Sequence, residues 1–318
     1  MNNQAKAELS LSVVLVSDYA AGTEKSWNDL RATLTAIARE LATTSAEVEC
    51  LLVEDARYAR AIPQDVLAIL PDLRIVPADV ETSYGMKNMG IAAARAPWAA
   101  MLDVDCQMVQ GWLAAALTAV NENPQVAAIS GRTLYEGRSL FERVSALVQR
   151  SYLDPGQRGA SQFVSNNNAV WRCDWFLRFP LPTDLGPFSS RIQSEQLLRA
   201  GAMLHFEPDM QVIHDFEGFA MDADIARNIG FGTVISRLAD EEMPHARLIR
   251  LGPIAIPAIV LGKLWLHVCD SLRCARFYGL CWPQVPLAWC YALVSGVLET
   301  PGMLAAYRGR DLGETAYR

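Results

Sequence analysis

Residues 98–105 read Trp98-Ala-Ala-Met-Leu-Asp103-Val104-Asp105. The short apolar run reads as a buried strand, and it empties straight into two carboxylates one residue apart. Such a pair can supply oxygen ligands to a divalent cation; Mg²⁺ or Mn²⁺ is held by one or two carboxylates together with nucleotide phosphates. Working outward, Leu11–Val16 and Val48–Val53 are two more apolar strands, the second ending in Glu54-Asp55. Arg74–Val76 reads as a short third strand, and Val126–Ser130 is strand-like. Helical spacing covers Trp27–Leu41, Lys87–Ala94 and Trp112–Asn121. Strands alternating with helices specify βαβ units and a mostly parallel α/β sheet, whose ligands bind at the carboxyl ends of the strands. Both acidic clusters lie at such ends.

Composition narrows the class. The chain has 318 residues, 51% of them hydrophobic and 20% charged, enough for a large core and too apolar for a disordered chain. Twenty-eight Lys and Arg against 35 Asp and Glu leave a net charge of −7, which argues against sequence-independent nucleic-acid binding. The seven cysteines form no CxxC pair, so reduced cysteines are expected rather than a disulfide framework or a zinc site. Met1–Ser10 is polar, so no signal peptide and a cytosolic setting are expected.

After about residue 240 the character changes. Met243–Arg310 carries seven basic residues against Asp270 and Glu299, and it is strongly apolar. Leu280–Leu298 has no charged residue, but Pro283 and Pro286 interrupt its start. An interfacial or re-entrant helical pair fits this better than two full spans. The chain is therefore expected to divide into an α/β unit, residues 1–240, and an apolar, basic membrane-associated segment, residues 241–318. The competing expectation for the tail is a buried helical hairpin.

No GxGxxG, GxxxxGK[ST] or GxSxG occurs. The order of elements instead resembles the family 2 glycosyltransferases of the GT-A fold, a Rossmann-like mixed sheet flanked by helices. The resemblance rests on Ser12–Tyr19, Glu54-Asp55, Tyr84–Gly90, Trp98–Asp105 with Gly111–Leu113, Asn166–Arg172, and Phe206-Glu207-Pro208 through His214. It implies a nucleotide-diphosphate sugar donor bound by Ser17, Tyr19, Asp55, Lys87, Asn88 and Asp103, and a metal, Mg²⁺ or Mn²⁺, on Asp105 and His214. Asp55 suits a base imide, Lys87 the diphosphate as a point charge, and Asp105 the metal and hence the catalytic step.

One departure touches the mechanism. An inverting transferase needs a general base for the acceptor hydroxyl. Counting back from Gly201 puts Ser189-Ser190 where the family carries an acidic pair. Glu195 is the nearest acid and the candidate base, with Asp184 a weaker substitute. The tail from Gly296 to Gly309 is similar to that of membrane-bound members, which implies docking on the cytoplasmic face of a membrane as a peripheral or monotopic protein. The expected function is metal-dependent transfer of a sugar to a glycan, lipid-linked or small-molecule acceptor, and the resemblance implies inversion, as in most of the family. The alternative is a non-catalytic sugar-nucleotide-binding or scaffold subunit at the membrane. A nucleotidyltransferase is disfavoured because no Gly-rich phosphate loop follows the first strand.

Overall fold

The computed structural model describes residues 9–17, 27–80, 82–216 and 218–312. Its strands are β1 (Leu11–Val16), β2 (Val48–Asp55), β3 (Arg74–Ala78), β4 (Trp98–Asp103), β5 (Cys106–Met108), β6 (Ala128–Tyr135), β7 (Gly159–Ser161), β8 (Asn168–Arg172) and β9 (Leu204–His214). The helices are α1 (Asn28–Leu41), α2 (Gln64–Leu67), α3 (Ser83–Ala93), α4 (Trp112–Glu122), α5 (Leu140–Arg150) and α6 (Cys173–Arg178). They continue as α7 (Ser189–Arg199), α8 (Phe219–Ala239), α9 (Ala246–Ile249), α10 (Ile256–Cys274) and α11 (Val285–Tyr307).

One sheet runs β3-β2-β1-β4-β8-β6-β9-β5, with β7 beside β9. The pairings among β3, β2, β1 and β4 are parallel, as the βαβ reading expects. Beyond β4 the parallel pattern stops, as the mixed sheet of the resemblance implies: β8 is antiparallel to both β4 and β6, while β6 and β9 are parallel. The sheet is therefore mixed. β1 and β4 are buried along their whole length, which is why they read as unbroken apolar runs. β6 extends to Tyr135, past the point where its apolar pattern stops. Arg132 continues the strand because its charge is met inside the protein by Asp154, with Nε to Oδ2 at 2.6 Å.

Each sheet face has its own core. Leu30, Leu34 and Ile37 of α1 and Trp112 of α4 cover one face; Met86 and Ile91 of α3, Phe176 of α6 and Leu197 of α7 cover the other. α3 begins at Ser83, one turn before the apolar pattern, because Thr82 caps it by accepting from the Gly85 amide at 3.1 Å. Gly90 lets α3 lie against β1: a Cβ there would stand 2.4 Å from Val14 Cγ1. This close approach carries Lys87 to the end of β4.

The tail packs on the rest of the chain. α11 lies along α8 and touches α5 and α10. Val144, Leu147, Cys274, Tyr278, Val285 and Tyr291 share one small core. The outer faces of α10 and α11 expose Leu261, Trp265, Leu266, Leu293 and Val297.

Candidate active site

The two acids at the end of β4 are held by the neighbouring layer. Thr33 of α1 donates to the carbonyl of Val104 at 2.7 Å, fixing the turn between Asp103 and Asp105. Glu40, also on α1, accepts from the amides of Gly111 and Leu113, tying down the loop that follows. Asp103, Asp105 and Lys87 are all buried. The Lys87 Nζ stands 2.7 Å from Asp103 Oδ1 and 5.3 Å from the Tyr84 ring centroid. Burial pushes the Asp103 carboxyl up, Lys87 draws it down, and Asp105 pushes it up again.

Asp105 faces the last strand. β5 and β9 pair so that Cys106 lies opposite His214. His214 Nε2 is 3.2 Å from Asp105 Oδ2. Its Nδ1 lies 2.6 Å from the carbonyl of Asp215 and donates to it, since a carbonyl can only accept. That leaves the Nε2 lone pair facing a carboxylate, an arrangement that shares one cation, either a proton or a metal ion. A backbone carbonyl on the far ring nitrogen is the usual support of a metal-bound imidazole. Asp105, Cys106 and His214 offer ligand atoms within 4.8 Å of one another. The surroundings are acidic: burial first, then Asp29, Asp105 and Glu136, push the Asp215 carboxyl up to about 6. Carboxylate oxygens and an imidazole amid crowded negative charge suit Mg²⁺ or Mn²⁺.

Around this point opens a cleft lined by Lys87, Asp103, Asp105, Tyr135, Arg150, Tyr152, Asn166, Ser190, His214, Asp215 and Asp222, among others. Thus the cleft brings Lys87, Asp103, Asp105 and His214 together. The other candidates stand elsewhere. Ser17 follows β1, its amide donating to the Val53 carbonyl at 3.1 Å. Asp55 is engaged locally by Arg57, which donates from Nε at 2.9 Å and holds the carboxyl below its usual range. Asn88 faces away from the cleft and bonds both ways to the Leu181 backbone, at 2.9 and 3.0 Å. Tyr19 lies outside the described residues. Glu195 is not a cleft residue: it sits one turn beyond Arg191, which pairs with it at 2.6 Å.

Sequence reasoning missed several cleft residues. Tyr135 lies tilted at 42° to the His214 ring, centroids 5.7 Å apart, and 5.6 Å beneath Arg150. Arg150 ends α5 with no carboxylate at ion-pair distance among the described residues. Asp222 comes from the first turn of α8. None belongs to a short motif, so only the fold assembles them.

A mixed sheet with an acid-tipped central strand and a histidine delivered from the last strand defines the GT-A class. The profile of Glycosyl transferase family 2 matches residues 23–181, half of the chain, and the protein belongs to that family. Two pre-mycofactocin glycosyltransferases, of Mycobacterium tuberculosis strains CDC 1551 / Oshkosh and H37Rv, are 28% identical to it over 212 residues. The match covers 63% of this chain and 44% of theirs, so the chain spans less than half the length of these relatives. Among solved structures, the mannosyltransferase PcManGT from Pyrobaculum calidifontis, in complex with GDP-Man and Mn²⁺, superposes with a TM-score of 0.59. That match covers 96% of this chain and 89% of the other at 13% identity, a likeness of fold.

Proposed function

We propose that this protein transfers a sugar from a nucleotide-diphosphate donor to an acceptor hydroxyl, with Mg²⁺ or Mn²⁺ held by Asp105 and His214. The observation that carries the reading is the 3.2 Å approach of His214 Nε2 to Asp105 Oδ2 in the cleft at the strand ends. Family membership supports glycosyl transfer, and the GDP-Man and Mn²⁺ of the PcManGT complex support the donor class and the cation. When bound, the cation neutralises charge developing on the leaving diphosphate. Lys87 holds Asp103 in place, so that Asp103 can take a ribose hydroxyl while the ion pair keeps the strand end rigid. Ser17 and Asp55, at the carboxyl ends of β1 and β2, suit the nucleoside end, the family resemblance alone assigns Tyr19 to it, and Asn88 fixes α3 through Leu181. In-line displacement inverts the anomeric centre. The acceptor is a glycan, a lipid-linked sugar or a small molecule.

Thermal unfolding against nucleoside diphosphates, with and without Mn²⁺, tests this. A ligand at 100 times its Kd adds about 2.7 kcal/mol. A stability gain that needs both nucleotide and Mn²⁺ is the expected result; no gain with any nucleoside diphosphate overturns the reading. A second reading, a binding subunit without turnover, draws on Ser190 lining the cleft where the family resemblance puts an acid. Turnover of any bound donor excludes it.

The same proposal makes residues 1–240 the catalytic unit and residues 241–318 the attachment to the cytoplasmic face of a membrane, peripheral or monotopic. It is supported by two helical stretches, Gly252–Tyr278 and Trp282–Tyr307, long and apolar enough to cross a bilayer. Leu261, Trp265, Leu266 and Trp282 are exposed, each more than 60%. The protein is expected to float with vesicles containing anionic lipid, and W265S together with W282S to reduce that binding at least tenfold. A full-length chain that is monodisperse without detergent and ignores vesicles overturns this part.

A further inference from the structure

Glycosyl transfer requires a proton acceptor on the acceptor side of the cleft, and the carboxylates there can be taken one by one. Asp103 is matched by Lys87. Asp105 faces His214, and the amide of Asp215 donates to the Asp105 carbonyl at 3.3 Å, so these two belong to the cation end. Glu195 is held by Arg191 away from the cleft. Asp222 remains. It lies on the α8 face that lines the cleft with Ile225 and Ile229. The 186–188 turn packs on the same helix, and Ser190 follows it. Asp222 and Ser190 therefore line the same cleft, Asp222 from the first turn of α8 and Ser190 from beside Phe188, which packs further along that helix on Gly232.

Its surroundings hold one oxygen and leave the other available. Ser145 of α5 donates to Oδ2 at 2.7 Å, and Tyr291 of α11 donates to the same Oδ2. Oδ1 accepts from none of the described residues. Two hydroxyl donors on one oxygen fix the rotamer of the carboxylate and turn Oδ1 away from them. The charged and titratable groups around it are Arg150 and Tyr135 on the cleft wall, Asp215 toward the cation end, and Tyr291 from α11.

We infer that Asp222 is the general base of the transfer, resting on the glycosyl-transfer reading above. Asp222 Oδ1 takes the proton of the acceptor hydroxyl. The acceptor oxygen bonds the anomeric carbon, and the bond from that carbon to the phosphate oxygen breaks with its electron pair leaving on the diphosphate. Because Tyr291 belongs to α11, the tail fixes the orientation of the base.

The test compares D222N with wild type for transfer rate, for nucleoside-diphosphate affinity in Mn²⁺ and for melting temperature. Asparagine keeps the shape and an acceptor oxygen for Ser145 and Tyr291. A loss of about 10²–10⁴-fold in kcat with donor affinity unchanged is expected. Formate added to D222A should restore part of the rate, which a folding defect would not allow. The inference is overturned if D222N keeps its rate within threefold, or if E195Q loses more than D222N. It is equally overturned if S145A and Y291F match D222N in both rate and melting temperature, since Asp222 is then an anchor only. A wild-type protein that binds a donor and transfers nothing ends the transfer reading itself, and the base with it.

Discussion

Replacing Asp105 with alanine is expected to abolish the Mn²⁺-dependent stabilisation by nucleoside diphosphates and to lower transfer by more than about 10³-fold. A metal that neutralises the leaving group is worth several kcal/mol of transition-state stabilisation, which sets this scale. The ligand-linked part, about 2.7 kcal/mol at 100 times Kd, should vanish from the melting curve. The fold should survive. The contacts that hold the strand end use backbone atoms: Thr33 on the Val104 carbonyl, the Val104 amide on Val16, and the Asp215 amide on the Asp105 carbonyl. Removing one carboxylate also relieves the crowding with Asp29, Glu136 and Asp215, so the apo protein should change by less than about 1 kcal/mol. Differential scanning fluorimetry with and without Mn²⁺, together with a transfer assay, measures both halves. An alanine variant with unchanged Mn²⁺ dependence would remove Asp105 from the cation site.

The parallel half of the sheet was legible because β1, β4 and the middle of β2 are buried and therefore read as apolar runs. The carboxylates of Asp103 and Asp105 were legible because they interrupt one such run at its end. Lys87 was found by its segment, but its partner was not: only the approach of α3 to β1 through Gly90 reveals that it neutralises Asp103. Asn88 reads like a ligand-facing residue in the same segment, yet its amide is used by the Leu181 backbone, 93 residues away. β6 was cut short because Arg132 breaks the apolar pattern, and its compensation by Asp154 lies 22 residues on. Asp222 was invisible for the same reason in a stronger form. Its partners come from α5 and α11, 77 and 69 residues away, and no local spacing encodes that. What the sequence states locally it states clearly; what the cleft builds from distant helices it does not state at all.

The contact of α8 with α11 offers a sharp test of how the tail is joined to the site. Glycine inside a helix is less favourable than alanine by about 1 kcal/mol, so Gly→Ala is stabilising wherever there is room. At Gly262 in α10 nothing lies within 4 Å of the added Cβ. G262A should accordingly stabilise the protein by up to about 1 kcal/mol. At Gly302 in α11 the added Cβ would stand 1.9 Å from the Arg227 carbonyl oxygen and 2.9 Å from Phe231 N, both backbone atoms of α8. Backbone cannot rotate aside as a side chain does, so α11 must shift or tilt. Overpacking typically costs about 1–3 kcal/mol, which outweighs the helix-propensity gain. G302A should therefore melt below wild type while G262A melts above it. The displacement also reaches the cleft: Tyr291 is on the same helix and donates to Asp222. G302A is thus expected to lower the transfer rate while leaving Mn²⁺-dependent nucleotide binding intact, because Asp105 sits in the β4–β5 turn and His214 ends β9, and α11 packs instead on α8, α10 and α5. If G302A melts at or above wild type, the two helices are not in the close contact on which the coupling of tail to site depends.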